Sequence, residues 1–167
     1  VWEDLDSDGI QDGNEPPIAG VTVNLYTDNN NDGVPDAGGS VASTTTDGNG
    51  LYIFTGLTPG NYIVQFVTPA GVWTPSPANV GTNDNIDSDP ISNGYTGTIA
   101  VPSGSTNLTV DAGFIRVCTL NASGIVTNAS CGSTNGSINV SVSGAYGTVR
   151  FDWSNGLAST EDQSGLA

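Results

Sequence analysis

Asp4-Leu5-Asp6-Ser7-Asp8-Gly9-Ile10-Gln11-Asp12-Gly13-Asn14-Glu15 holds five carboxylates in twelve residues. Counted from Asp4, acids fall at positions 1, 3, 5, 9 and 12, and a glycine falls at position 6. This is the spacing of a twelve-residue calcium loop, in which position 7 contributes a backbone carbonyl. The pattern predicts a Ca²⁺ site whose ligands are Asp4, Asp6, Asp8, Asp12, Glu15 and the carbonyl of Ile10.

The residues after this loop indicate a β scaffold. An EF-hand has a helix on each side of its loop, but here Pro16 and Pro17 follow and a strand-like run begins near residue 20. Five carboxylates this close together repel one another unless a cation lies between them. The alternative interpretation is an acidic turn that is simply solvated.

A second stretch, residues 28–36, repeats the same register. Positions 1, 3, 5, 7 and 9 of this loop are Asp28, Asn30, Asp32, Val34 and Asp36. The residue at position 12 is Gly39, so the bidentate acid of a calcium loop is missing. We expect a second Ca²⁺ site completed by an acid from elsewhere; an Asn/Asp-rich hairpin without metal is the alternative.

Three further acids lie in a long loop at residues 68–94. Asp84, Asp87 and Asp89 are too few to form a site alone, but a loop of this length is uncommon unless something orders it. We predict that they complete the second site or share a third, with a plain acidic loop as the alternative. The sequence thus predicts two or three Ca²⁺ ions, and Asp111 is a weaker additional candidate.

Alternating apolar residues indicate an all-β fold. Val21, Val23 and Leu25 share one face of a strand, and runs of the same kind predict further strands. The predicted strands lie near residues 20–27, 40–46, 50–55, 61–68, 95–101 and 107–115. Short strands separated by Asp-Gly, Asn-Gly and Pro-Gly turns are typical of β-sandwiches.

The charge balance restricts the function. The net charge is −15, there are two cationic side chains, and the chain contains no His and no Lys. Such a surface repels nucleic acid and anionic membranes, so we expect no nucleic-acid partner and no membrane insertion. Without a histidine or lysine base, and with its acids in metal register, the chain is not expected to be an enzyme.

A shift in composition near Arg116 predicts a domain boundary between residues 1–115 and 116–167. The second region is rich in Ser, Asn and Gly, and alternation recurs at Ile138–Val142 and Val149–Trp153. About four strands are expected, fewer than an Ig-like sandwich has, so we expect this domain to be completed by further chain or by a strand from a neighbour. Whether Cys118 and Cys131 form a disulfide is left open by the sequence.

Residues 1–115 resemble a B-type repeat of the serine-aspartate repeat surface adhesins. The resemblance is carried by Val1-Trp2-Glu3-Asp4, Gly20-Val21-Thr22-Val23-Asn24-Leu25, Thr46-Asp47-Gly48-Asn49-Gly50-Leu51-Tyr52-Ile53-Phe54, Leu57-Thr58-Pro59-Gly60-Asn61-Tyr62, Asp87-Ser88-Asp89 and Asp111-Ala112-Gly113-Phe114. It implies a Cna-B-like (prealbumin-like) β-sandwich that binds several calcium ions and serves as a rigid spacer. Many Cna-B-type pilin domains carry a Lys–Asn isopeptide bond, which a chain without lysine cannot form.

Residues 117–167 resemble the start of a SprB-type repeat of large surface adhesins. Asn128-Ala129-Ser130-Cys131-Gly132, Gly136-Ser137-Ile138-Asn139-Val140 and Phe151-Asp152-Trp153-Ser154-Asn155-Gly156 carry this second resemblance. Together the two imply an extracellular module of a bacterial cell surface, with neighbouring repeats or like subunits as partners. A module that binds a glycan or protein ligand directly, and a filament subunit completed by a foreign strand, are the alternatives.

Overall fold

The computed structural model describes residues 1–145, 148–154, 156–157 and 159–166. Ten β-strands account for all the regular secondary structure in these ranges, as the predicted all-β class requires. The chain divides into two compact units, the first from Val1 to Val117 and the second beginning at Cys118. No helix in the described part is long and apolar enough to cross a membrane.

The first unit consists of two sheets. The four-stranded sheet has the order β3-β2-β4-β6, and the three-stranded sheet has the order β1-β7-β5. The strands are β1 (Trp2–Glu3), β2 (Thr22–Thr27), β3 (Ala42–Thr45), β4 (Gly60–Phe66), β5 (Trp73–Pro75), β6 (Ile99–Val101) and β7 (Gly113–Arg116). All pairs are antiparallel except β1 and β7, which run parallel.

The core of this unit is formed by alternate residues of both sheets. Val23 and Leu25 of β2, Phe66 of β4 and Phe114 of β7 belong to one buried cluster. A period of two places every second side chain of a strand on the same face, which is why the alternation in the sequence identified these residues. Trp2 is fully buried as well.

Two predicted strands are not present as predicted. Residues 50–55 form no strand, and the prediction for 107–115 is replaced by the shorter β7. The alternation is still present, because Leu51 and Ile53 are exposed whereas Tyr52 packs against the core. Tyr52 donates a hydrogen bond from its hydroxyl to the carbonyl of Val110 at 2.7 Å, so a side chain joins these two segments.

The second unit contains one three-stranded sheet in the order β10-β9-β8. Its strands are β8 (Asn121–Thr127), β9 (Gly136–Ser143) and β10 (Gln163–Leu166). The residues predicted as a strand at 149–153 are not in a strand, although Val149, Phe151 and Trp153 remain half-buried and face β8 and β9 across a cavity of about 300 Å³. Their alternation reflects contact with that face of the sheet. Asn155 lies outside the described residues.

Candidate metal centre

The first acidic loop is shaped by its first residue, Asp4. Its carboxylate is buried; Oδ1 accepts hydrogen bonds from the amides of Ser7 (2.6 Å) and Asp8 (3.3 Å), and Oδ2 accepts one from Gly9 (3.0 Å). A short acidic side chain that accepts bonds from the following amides folds the backbone around itself. Residues 4–9 therefore curl around the Asp4 carboxylate.

Glu15 closes the same loop from its other end. The amide of Leu5 donates to Oε1 of Glu15 at 2.7 Å, and the amide of Asp12 donates to Oε2 at 3.0 Å. Both oxygens of the acid at position 12 therefore face the loop, as a bidentate calcium ligand requires. Glu15 is buried, whereas Asp12 is exposed.

Three carboxylates of this loop lie close together. Asp4, Asp6 and Asp8 each have a carboxylate oxygen within 4.8 Å of the others. Asp8 also accepts a 2.8 Å hydrogen bond from the amide of Ile10. An all-oxygen donor set carrying several negative charges suits a hard divalent cation such as Ca²⁺, so the residues present fit the predicted ion.

Gly9 occupies a position that no other residue fits well. Its φ of 82° lies in the left-handed region, and a Cβ atom there would stand 2.5 Å from the carbonyl oxygen of Pro77. Position 6 of the loop therefore needs glycine both for the turn and for the close approach of the 68–94 segment.

The second loop has the same internal geometry as the first. Asp28 is buried and accepts bonds from the amides of Asp32 (3.1 Å) and Gly33 (3.2 Å), which are the fifth and sixth positions of this loop. Asp32 accepts a bond from the amide of Val34 at 2.9 Å, just as Asp8 does from Ile10. The repeated register therefore corresponds to a repeated backbone conformation.

The remaining members of the second loop bond to one another. Asn30 donates to Asp32 at 2.8 Å, and Asp36 accepts from the amide of Asn29 at 3.0 Å. The hydroxyl of Thr98 donates to Asp28, and this bond is the largest cause of the lowered pKa of Asp28. A lowered pKa keeps this carboxylate ionised, which is the state that binds a cation.

The segment at residues 84–89 lies against the first loop. Ile10 and Asp87 form an antiparallel bridge, the amide of Gln11 donates to the carbonyl of Ile86 at 2.6 Å, and that of Ser88 to the carbonyl of Gly9 at 3.2 Å. Asp84, Asp87 and Asp89 were predicted to complete the second site or to share a third, and this placement favours a third site beside the first loop. No hydrogen bond in the described residues joins the segment to residues 28–39.

Asp111 joins this acidic segment, a role for which the sequence offered only a weak signal. The amide of Asp111 donates to Oδ2 of Asp89, and the amide of Asp89 donates to the carbonyl of Asp111 at 3.0 Å. Asp84 accepts a bond from the hydroxyl of Thr109 at 2.7 Å. Asp87 is 6% exposed, and its Oδ1 atom has no hydrogen-bond partner among the described residues, so a buried oxygen there is open to a ligand.

Two carboxyls of this group have strongly raised pKa values. Burial, and then the charges of neighbouring carboxylates, raise the pKa of Asp89 to about 7. Burial also raises the pKa of Asp111 to about 6, and Asp87 adds to the rise. Grouped carboxylates that resist ionisation are stabilised by either protons or a cation.

In chelator, the melting temperature of the first unit is expected to rise as the pH is lowered from about 8 to about 5. An unfolded aspartate has a pKa near 3.9, so across this range the folded state binds more protons at Asp89 and Asp111, and stability falls as pH rises. Asp28, Asp36 and Asp47 have lowered pKa values and act in the opposite direction only below about pH 4. Burial lowers the pKa of the Val1 amine, which opposes the effect within the range, as one group against the two carboxyls.

Calorimetry in chelator across that pH range measures the effect. Asp89→Asn and Asp111→Asn should each flatten the slope, whereas Glu161→Gln, which removes an exposed acid of the second unit, should not. A melting temperature that falls between pH 8 and pH 5 in chelator would contradict the prediction.

Comparison with known proteins identifies relatives of both units. The SdrD B-like domain family matches residues 1–114, and the SprB repeat family matches residues 123–158. The chain is 47% identical over 116 residues to serine-aspartate repeat-containing protein C of Staphylococcus aureus strains Newman and NCTC 8325, and 46% identical to that of strain N315. These matches cover 70% of the chain but only 10–11% of the length of those proteins.

Proposed function

The chain belongs to the SdrD B-like domain family across residues 1–114, and from this membership we propose that it is a calcium-stabilised structural module of a bacterial cell-surface adhesin. The observation that carries the proposal is the pair of loops at residues 4–15 and 28–36, which share one register and one hydrogen-bonding pattern. The relatives named serine-aspartate repeat-containing protein C and the SprB repeat in the second unit support a surface location.

Calcium is proposed to act on the first unit by neutralising its crowded acids. The first loop would hold one ion through Asp4, Asp6, Asp8, Asp12, Glu15 and the Ile10 carbonyl, and the second would hold another through Asp28, Asn30, Asp32, Asp36 and the Val34 carbonyl. Asp84, Asp87, Asp89 and Asp111 are the candidates for a third. The ion supplies positive charge where the chain offers almost none, because Arg116 is the one Lys or Arg side chain among residues 1–117.

The strand arrangement supports a role as a load-bearing spacer. β1 lies near the start of the first unit and β7 near its end, and the two are parallel neighbours with Trp2 opposite Gly113 and Glu3 opposite Phe114. If the unit is pulled through its two ends, parallel neighbours are loaded along their length, so several backbone bonds must break together. Those bonds include the amide of Trp2 to the carbonyl of Ala112 (3.2 Å) and the amide of Asp4 to the carbonyl of Phe114 (3.0 Å).

The ion proposed for the first loop would lie next to this ladder. Asp4 is at once the residue after β1 and the first position of the first loop. Its backbone amide bonds to β7, and its side chain organises the loop. An ion held by that loop would therefore resist movement of β1 relative to β7.

Single-molecule force spectroscopy on the full chain tests this proposal. With excess Ca²⁺ we expect the first unit to unfold at a clearly higher force than in chelator, because the loops and the β1–β7 ladder then yield together. The matched control is the second unit of the same molecule, whose unfolding force should not respond to calcium. Equal forces for the first unit in both solutions would overturn the proposed role.

Direct ligand binding near Trp73 is not favoured by the structure. Such binding would be favoured by a bare aromatic patch, but Trp73 is half-buried in β5. The guanidinium of Arg116 lies 4.1 Å from the centre of the Trp73 ring and stacks on it. We therefore propose a spacer, and not a module that binds a ligand at Trp73, as the function of the first unit.

A further inference from the structure

The outer edge of β8 is unusually open. β8 pairs with β9 along its whole length, from Asn121 opposite Ser143 to Thr127 opposite Ser137, and it is the last strand of its sheet. All seven of its residues are exposed, and Ile125 and Val126 are 73% and 66% exposed. One long row of backbone donors and acceptors is therefore left without a partner strand among the described residues.

Nothing in the sequence of this edge prevents another strand from adding to it. Proteins usually protect an edge with charged side chains, proline or a bulge, yet residues 117–149 contain no charged residue and no proline. The opposite edge strand, β10, is four residues long and is interrupted between Ser164 and Leu166, where Gly165 has a φ of 71°. The β10 edge is thus short and interrupted, whereas the β8 edge is long, continuous and open to another strand.

The edge is complementary to itself. In an antiparallel pair of two β8 strands centred on Gly124, Ala122 of one copy lies opposite Val126 of the other. Both residues lie on the same face of the sheet as Val140, because Ala122 pairs with Val142, Gly124 with Val140 and Val126 with Ile138. The apolar row of one sheet would therefore continue across the two-fold axis into the other.

This register is favoured over its neighbours. A shift by one residue would place the row of Ala122 and Val126 in one copy next to the opposite row of the other copy, in which Ile125 is the one apolar member beside Asn121, Ser123 and Thr127. At the axis itself stands Gly124, which has no side chain to separate the two strands. Residues 117–149 carry no charged side chain, and the cavity beside Ala122 is lined by one charge of each sign, Arg150 and Asp152.

We infer that β8 is a pairing surface for a second copy of this chain, joined antiparallel about Gly124 into a continuous six-stranded sheet. The two copies of the edge bury the same residues, as a two-fold interface requires. The inference concerns the second unit alone and is independent of whether calcium binds the first.

Disulfide cross-links between the two cysteines of different copies can be used to test this register. Cys118 and Cys131 are free and exposed, and the seven residues of β8 between them span roughly 20 Å. That separation is far beyond the limit of about 7 Å between Cα atoms for a disulfide, so the two thiols of one copy do not pair, which resolves the disulfide question that the sequence left open.

Each thiol lies beyond one end of β8: Cys118 precedes Asn121, and Cys131 lies in the turn that the amide of Ser133 closes on the carbonyl of Ser130 at 2.9 Å. Thr119 still lies beside Gly144, and Ala129 beside Gly136, so the chain continues next to β9 beyond each end of the strand. In the antiparallel pair centred on Gly124, the start of β8 in one copy lies beside the end of β8 in the other, so Cys118 of one copy comes to the same end of the interface as Cys131 of the other. The arrangement occurs twice, once on each side of the axis.

Sedimentation of the full chain under reducing conditions tests the association. We expect a reversible monomer–dimer equilibrium, unchanged in chelator. Ser123→Lys adds a charge to the open edge and should weaken the dimer at least tenfold, because two lysines then approach each other across the axis. Ser141→Lys is the matched control, since Ser141 faces Ser123 from the central strand, and it should shift the equilibrium less than twofold.

Oxidation with diamide tests the register. The reagent takes two protons and two electrons from a pair of thiols, which become a disulfide while diamide becomes the hydrazine. We expect a covalent dimer whose peptide map contains the Cys118–Cys131 link between copies, and Cys118→Ser should abolish it. A monomer at every concentration, an equal effect of the two lysine variants, or links only between like cysteines would each overturn the inference; circular dichroism confirms that the variants fold.

Discussion

Removal of calcium is expected to lower the melting temperature of the first unit by on the order of 20 °C. Each ion that binds only the folded state contributes about 2.7 kcal/mol at a hundredfold excess over Kd, so two loops contribute about 5 kcal/mol. For a domain of this size each kilocalorie corresponds to roughly 3–6 °C. Calorimetry in excess Ca²⁺ and in chelator measures the shift, and native mass spectrometry of the same samples counts the ions.

Asp6→Asn separates ion binding from loop folding. Among the described residues, Asp4, Asp8 and Glu15 accept the side-chain hydrogen bonds that shape the first loop, whereas Asp6 is an exposed acid near Asp4 and Asp8. The variant should therefore melt like the parent in chelator and at a lower temperature than the parent in calcium. Asp152→Asn, an exposed acid of the second unit, is the control and should match the parent in both.

Two results would count against the calcium proposal. Identical melting in calcium and chelator would show that the ions contribute no stability. If native mass spectrometry in calcium detected no bound ion, the proposed ligands would bind no metal. The crowded acids of the first loop would then form a solvated turn.

The two acidic loops were predictable because their geometry is local. Ligand spacing, the glycine at the sixth position and the hydrogen bonds from the first acid all fall within twelve residues, so the register in the sequence is sufficient to define them. The same holds for the core strands β2 and β4, whose period of two is visible directly. The resemblance to B-type repeats at residues 1–115 and to a SprB repeat in the second region is confirmed by the family matches.

The rest of the centre depends on contacts between distant parts of the chain. The pairing of Ile10 with Asp87 and of Asp89 with Asp111 joins segments that are 77 and 22 residues apart, respectively. No local pattern specifies such a contact, which is why Asp111 was only a weak candidate and the partner of the 84–89 segment was undecided. β5 was missed for a similar reason, since three residues are too few to show alternation.

The ion pair between Glu3 and Arg116 joins β1 to β7 by side chains as well as by backbone. Nε of Arg116 lies 3.0 Å from Oε1 of Glu3, and Nη2 donates to Oε2 at 3.4 Å. Glu3 is 4% exposed, and Arg116 also stacks on Trp73 of β5. One cation thus contacts all three strands of its sheet.

Arg116→Gln is expected to destabilise the first unit by about 3 kcal/mol, measured by urea unfolding in excess calcium. The variant leaves the carboxylate of Glu3 buried without a cation, which is the costly way to break a buried pair. The double variant Glu3→Gln/Arg116→Gln should recover part of the loss, because no charge is then left behind, and Arg116→Lys should recover little because it loses the bidentate geometry and the stacking. A cost below about 0.5 kcal/mol for Arg116→Gln would place the pair among ordinary surface ion pairs, and the β1–β7 connection would then rest on its backbone ladder and the first loop alone.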